Sequence, residues 1–229
     1  MGLSDLIDDP DFSDFLGKSM TLLPDGFCDP VTYNVALHGV NGWTDPATSS
    51  FLPKLPRFAP ETLRFFRTYR GVVFPSPGGL SLQQLYRGLN ILDHRFEVTI
   101  EDPCDAPDCD RFPIQGIEPG WIAVTFDPVA GSAGRNALAQ AELMASRKTR
   151  GRVASAAEGI LAVALYAGIH RGQLPRVEGR VRTRQDAHVS SKLSGTTWCI
   201  EVYHDGISLT RVSVLEAASD LVCLASYVP

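Results

Sequence analysis

The sequence contains no apolar run long enough to cross a bilayer and no regular set of cysteines. Its longest apolar run, Gly159 to Ile169, is far shorter than the roughly 20 residues that a membrane-spanning helix needs. The N-terminus is acidic and has no apolar signal segment. The five cysteines are odd in number and scattered: Cys28, Cys104, Cys109, Cys199 and Cys223. We therefore expect no membrane insertion, and a reducing cytoplasmic setting or a particle assembled there.

The chain also lacks the short motifs that identify common enzymes and nucleotide-binding proteins. It has no G-x-S-x-G elbow, no H-E-x-x-H helix, no G-x-G-x-x-G loop and no Walker lysine loop. Its net charge of −5 argues against a dedicated nucleic-acid coat, which is normally basic. The composition is otherwise that of an ordinary globular protein, 44% hydrophobic and 21% charged over 229 residues, which is enough for a well-buried core.

The order of the local patterns predicts an α+β fold in which both halves of the chain share one compact domain. Residues 25–128 carry most of the prolines and are predicted to be rich in loops, with short strands and two helices. Residues 129–229 are predicted to form a helix pair followed by an antiparallel β-meander. The elements expected in the first half are strands 31–37, 96–100 and 121–126 and helices 60–69 and 81–92.

Two capping boxes mark helix starts in the sequence. Ser81-x-x-Gln84 follows a predicted Pro75–Gly79 loop, and Ser155-x-x-Glu158 precedes an apolar segment. That segment, 156–167, is apolar on nearly every side, so we expect its helix to lie at the centre of the fold. Gly168 is the predicted end of this helix.

The C-terminal segment has the pattern of a β-hairpin. Two apolar-rich stretches, Thr196–Tyr203 and Ile207–Val214, flank His204-Asp205-Gly206, which is a strong turn signal. Leu221–Tyr227 is predicted to add a further strand to the meander.

Residues 1–24, called the N-terminal arm below, combine acidic and apolar side chains. Leu6, Phe12 and Phe15 belong to two short amphipathic turns that Pro10 separates. The acidic residues of the arm are Asp5, Asp8, Asp9, Asp11 and Asp14, against the single base Lys18. We expect the arm to pack either on its own domain or on a neighbouring subunit.

Three arginines, Arg180, Arg182 and Arg184, occupy alternate positions in the chain. In an extended strand they point to one face. Three interpretations follow: a solvated or edge strand, pairing with acidic surface of the same chain or a neighbour, or contact with a phosphate backbone. Nucleic acid is the least favoured of these, because no aromatic residues that would stack on bases lie between the arginines.

A glycine-containing loop with Gly131, Ser132, Gly134 and Arg135 connects a buried strand to a predicted helix. Backbone N–H groups at a helix start attract anions, so this loop is a weak candidate for anion binding. The alternative is an ordinary strand-to-helix turn. Ser132 is also the predicted N-cap of the helix, which we expect to run to about Lys148.

Cysteine chemistry offers two further candidates, neither with a diagnostic pattern. Cys104 and Cys109 enclose acidic residues, but their spacing differs from that of zinc sites and no second ligand pair exists. Cys199 is predicted to lie in a strand beside the turn that contains His204 and Asp205, so a Cys–His nucleophile is conceivable there. We predict no metal and no cofactor.

From these patterns, our leading hypothesis is that the chain is a non-enzymatic structural or assembly protein that acts through protein–protein contacts. A subunit of a viral or phage particle is its concrete form, and the predicted contact residues are Leu6, Phe12, Phe15, Arg180, Arg182 and Arg184. One alternative is a small enzyme whose Cys/His or carboxylate site is assembled by the fold. The other is anion or nucleic-acid binding through the arginine-rich strand.

Overall fold

The computed structural model of the chain describes Gly26, Cys28 and residues 70–76, 78–92, 97–101, 116–147, 151–184 and 195–228. The helices of this part are α1 (Leu82–Leu92), α2 (Ala137–Ala145) and α3 (Ala156–Ile169). The strands are β1 (Gly71–Ser76), β2 (Glu97–Glu101), β3 (Gly120–Thr125), β4 (Arg152–Val153), β5 (Arg180–Arg182), β6 (Thr196–Val202), β7 (Gly206–Ser213), β8 (Leu221–Cys223) and β9 (Ala225–Tyr227). The predicted α+β class is confirmed.

The strands form two sheets. The four-stranded sheet has the order β1-β3-β9-β4 and is antiparallel throughout. The five-stranded sheet has the order β2-β7-β6-β5-β8. In it the β7–β6 and β6–β5 pairs are antiparallel, whereas β2–β7 and β5–β8 are parallel. Only Leu224 separates β8 from β9, so the chain crosses from one sheet to the other at this residue.

Helix α3 lies between the sheets and is the centre of the core, as its apolar composition predicts. It contacts β1 and β3 of the four-stranded sheet, β6 of the five-stranded sheet, and α1. Its buried residues point in all directions around the helix and include Ala156, Ile160, Leu161, Val163 and Leu165. A helix that is enclosed on every side has no need of a polar face.

Both capping boxes are present in the structure. The Ser155 hydroxyl accepts a hydrogen bond from the Glu158 N–H, and the Glu158 carboxylate accepts one from the Ser155 N–H. Ser81 and Gln84 exchange the equivalent bonds at the start of α1. These pairs satisfy N–H groups that would otherwise lack partners at a buried helix start.

Three predicted helix boundaries are wrong. Ser132 does not cap α2, because Asn136 is the N-cap and its side chain accepts from the Ala139 N–H. Helix α2 ends at Ala145, before the predicted end at Lys148, which lies outside the described residues. Gly168 does not end α3, which continues one residue further, to Ile169. The left-handed residues that reverse the chain are Arg171 and Gly172, with φ values of 55° and 89°.

The predicted strands at 96–100 and 121–126 correspond to β2 and β3, and the hairpin corresponds to β6 and β7. Strand β1 was not predicted, because Pro75 indicated a loop. Pro75 instead lies within β1, opposite Trp121 of β3. The predicted strand 31–37 and helix 60–69 lie outside the described residues.

The C-terminal strands depart from a simple meander. Residues 221–227 form two strands, of which β8 pairs in parallel with β5 and β9 lies between β3 and β4. Strand β7 already has β6 on one side and β2 on the other, so β8 cannot lie beside it. Sequence periodicity indicates that a segment is extended, but it does not identify the neighbouring strand.

The capping box of α3 gives a first prediction. Ser155→Ala removes the acceptor for the Glu158 N–H, and we expect it to lower the free energy of unfolding by about 1 kcal/mol. Urea denaturation would measure the loss. Ser219→Ala is the matched control, because Ser219 is exposed and its replacement should cost well under that amount. Equal costs at the two positions would contradict a capping role for Ser155.

Candidate functional site

The arginine stripe is extended, as predicted, but it does not lie at a sheet edge. Strand β5 runs between β6 and β8, and Arg182 is in register with Cys199 on one side and Cys223 on the other. Val181 points the opposite way, into the main core. The interpretation of an edge strand protected by arginine is therefore wrong.

Arg182 is buried and ties together three separate segments of the chain. Its guanidinium donates hydrogen bonds to the Arg135 carbonyl at 2.9 Å and to the Gln140 side-chain oxygen at 3.4 Å. It also donates to the Ser213 carbonyl at 3.3 Å and to the Glu216 carbonyl. We call these five residues the Arg182 cluster. Burial lowers the pKa of Arg182 below its usual range, but arginine stays charged at neutral pH.

Arg180 is paired with acidic residues of its own chain. Its guanidinium donates to the Asp220 carboxylate at 2.6 Å and to Glu216 at 3.4 Å, and Glu201 lies 3.9 Å away. The hydrogen bond to Asp220 raises the pKa of Arg180 and lowers that of Asp220. The acidic partners of this arginine are thus in the segment after β7 and in β6.

The stripe consequently offers little to a phosphate backbone. Arg182 is 1% exposed, and Arg180 already has carboxylate neighbours. Arg184 is partly exposed, with its N–H bound to the Ala154 carbonyl. A cation–aromatic contact does exist nearby, since Arg211 stacks 4.2 Å from the centre of the Trp198 ring. Trp198 is buried, however, and has no free face for a base.

The Gly131–Arg135 loop is an exposed turn with one buried anchor. Gly131 and Gly134 have φ values of 80° and 69°, in the left-handed region that favours glycine. The hydroxyl of buried Ser132 accepts a hydrogen bond from the Cys223 N–H at 3.2 Å. The loop thus holds β8 in place, which supports the interpretation of a structural turn.

Two arginines nevertheless converge on this turn. Arg135 donates from Nε to the Gly131 carbonyl at 2.7 Å, and Arg147 donates to the Ala130 carbonyl at 2.8 Å. Carbonyl oxygens are neutral and do not cancel the charge of a guanidinium. Sequence reasoning identified Arg135 but not Arg147 as its neighbour, because the helix that brings them together was predicted too long.

The described cysteines Cys199 and Cys223 lack the properties of a nucleophile. Cys199 and Cys223 are fully buried free thiols, and burial raises the pKa of Cys199 to about 12 and that of Cys223 to about 11. His204 and Asp205 lie on the exposed tip of the hairpin, with side chains 90% and 72% exposed. A thiol that is buried and protonated lacks the thiolate that nucleophilic attack requires.

Some of the predicted site residues are not among the described residues. Leu6, Phe12 and Phe15 of the N-terminal arm lie outside the described residues, and so do Cys104 and Cys109. Within the described ranges, no group of His, Cys, Asp and Glu side chains is arranged to hold a metal ion. No helix of those ranges is both long and apolar enough to cross a membrane.

Sequence reasoning missed an exposed apolar surface on α2. Leu138 and Leu215 are 69% and 78% exposed. The residues that precede them are hydrogen-bonded, since the Ala137 N–H donates to the Val214 carbonyl at 2.9 Å. Ala141 and Ala145, at helical spacing from Leu138, are also exposed. We call Leu138, Ala141, Ala145 and Leu215 the α2 patch.

Comparisons with protein-family models, with curated proteins and with solved structures found no match to this chain.

The Arg182 cluster gives a second prediction. Arg182→Met keeps a long side chain but removes the donor to the Arg135 and Glu216 carbonyls and to the Gln140 oxygen, whereas the Ser213 carbonyl keeps the Glu216 N–H. We expect the free energy of unfolding to fall by about 3 kcal/mol, as measured by urea denaturation. Arg176→Met, at an exposed arginine, should change it by no more than about 0.5 kcal/mol. Similar values for the two variants would refute the structural role of Arg182.

The buried thiols give a third prediction. At about pH 8, well below both pKa values, iodoacetamide should leave Cys199 and Cys223 of the native protein unmodified, because only a thiolate reacts. In denaturant the thiol pKa returns to about 8.5 and both should be modified quickly. Peptide mass spectrometry would give the labelling rates. Rapid native labelling of Cys199 would restore the Cys–His hypothesis.

Proposed function

We infer that this protein is a non-enzymatic structural or assembly protein that acts through protein–protein contacts. A subunit of a viral or phage particle remains the concrete form of this proposal. The observation that carries it is the α2 patch, where two leucines that are both more than two-thirds exposed lie on neighbouring segments. Single exposed leucines are common on protein surfaces, whereas a cluster of them is typical of an interaction site.

The surroundings of the patch support a contact rather than a loose loop. Gln140 and Met144 fix the opposite face of α2 in the core, where both are buried. The Gln140 amide donates to the Ser132 and Leu221 carbonyls at 3.0 Å and 3.1 Å. Because the helix is fixed from below, its exposed face is presented without large loss of conformational freedom on binding, which favours association.

Electrostatics support the same proposal. Arg135 and Arg147 lie just outside the two ends of α2 and donate only to neutral carbonyls in the contacts described above. An acidic partner would compensate these charges, and the protein is itself acidic, with a net charge of −5. Opposite charges on different parts of one chain favour association between copies.

Light scattering over a range of protein concentrations and salt tests this proposal. We expect self-association that weakens between about 0.05 M and 1 M salt, because the Debye length shortens to about 3 Å over that range. Ordered assemblies seen by electron microscopy or in a crystal structure would support the hypothesis that the chain is a subunit of a particle. If the protein is monomeric at every concentration and salt level, the proposal of self-assembly is wrong.

A further inference from the structure

We propose that the α2 patch binds the N-terminal arm of a second copy of this chain. In this contact the apolar side chains of the arm cover Leu138 and Leu215, and its aspartates lie against Arg135 and Arg147. The inference rests on the proposed function and specifies the two surfaces that would meet. Such a contact joins different surfaces of two copies and therefore produces rings or filaments.

The patch has the chemistry of one half of such a contact. Leu138 and Leu215 provide apolar surface, and the small side chains of Ala141 and Ala145 allow a partner to approach the helix backbone closely. The Arg182 cluster fixes the geometry from beneath. Arg182 donates to Ser213 and Glu216 on either side of Leu215 and to Arg135 before α2.

The two arginines that lie just outside the ends of α2 favour an acidic partner. Arg135 and Arg147 approach adjacent carbonyls of the Ala130–Gly131 turn, so their positive charges lie close together. Like charges that are close together, and whose described hydrogen bonds go to neutral carbonyls, are stabilised when a carboxylate approaches. Glu142 is an acidic residue on the exposed side of α2 and opposes such a partner. Neutralising Glu142 should therefore have the opposite effect on the contact to neutralising Arg147.

The N-terminal arm has the matching chemistry. Leu6 lies in one predicted amphipathic turn and Phe12 and Phe15 lie in a second, and five aspartates occur within the first 14 residues. A short amphipathic segment that lays its apolar side on a hydrophobic surface is a common mode of recognition.

Substitutions in the full-length chain test the surface. The double variant Leu138→Asp/Leu215→Asp removes apolar area and repels aspartates, so we expect it to weaken self-association by at least about tenfold. Leu138→Lys/Leu215→Lys removes the same area but attracts the arm, so its loss should be smaller and should grow with salt. Glu142→Gln should strengthen association, whereas Arg147→Gln should weaken it. Thermal melts would confirm that each variant is folded.

A mixing experiment separates contact between copies from contact within one chain. The arm variant Phe12→Ser/Phe15→Ser keeps an intact patch, and the Leu138→Asp/Leu215→Asp variant keeps an intact arm. Each variant alone should be monomeric, and an equimolar mixture should form a 1:1 complex, because one functional contact remains. If the mixture stays monomeric, the proposed contact between copies is wrong.

The remaining outcomes also decide between the two proposals. If the wild-type chain associates but the Asp and Lys variants at the patch associate equally well, the arm–patch contact is refuted while self-assembly stands. If Asp and Lys weaken association to the same extent, the partner is not acidic and the N-terminal arm is excluded. If the wild-type chain never associates, both the arm–patch contact and self-assembly are refuted.

Discussion

The packing of α2 and of the segment after β7 against β5 depends on one buried cation. Arg182 lies in the middle strand of the β6-β5-β8 group, where it is shielded from water. A guanidinium in that position is costly unless most of its N–H groups are bonded. Its acceptors come from the loop before α2, from α2 itself and from the segment after β7. The charge therefore favours the observed positions of these segments, which the Ala137 N–H to Val214 carbonyl bond and the Gln140 amide to Leu221 carbonyl bond also join.

The parts of the fold that were predictable are those that local chemistry determines. The capping box of Ser155 and Glu158, which are only three residues apart, determines where α3 begins. The absence of a polar face on α3 indicates that the helix lies at the centre of the fold. The hairpin at His204-Asp205 depends on a turn of few residues. In each case the residues that determine the structure are neighbours in sequence, so the prediction needed no knowledge of distant segments.

The arginine stripe illustrates what local patterns leave open. Alternation correctly indicates that Arg180 and Arg182 share one face of β5, but it does not indicate which layer covers that face. Residues from 135–140 and 213–220 cover it, and both segments are distant from β5 in sequence. The same alternation therefore produces an exposed ion pair at Arg180 and a buried cation at Arg182. Pro75 misled the prediction of β1 for a related reason. Proline has no N–H to donate to a neighbouring strand, so it is compatible with a strand only at a position where no donor is needed. Whether Pro75 occupies such a position depends on how the strands pair, which the local sequence does not show.

The same buried charge links stability to the proposed function. The carbonyls that Arg182 holds belong to Ser213 and Glu216, on either side of Val214 and Leu215, and to Arg135, just before α2. Together with the Ala137 N–H to Val214 carbonyl bond, these bonds hold the backbone segments that carry Leu138, Leu215 and Arg135. The backbone beneath the α2 patch and beneath Arg135 is thus held by a residue that is itself buried. A rigid surface of this kind loses little conformational entropy on binding, so in the proposed function arginine at position 182 would contribute to recognition by fixing the surface.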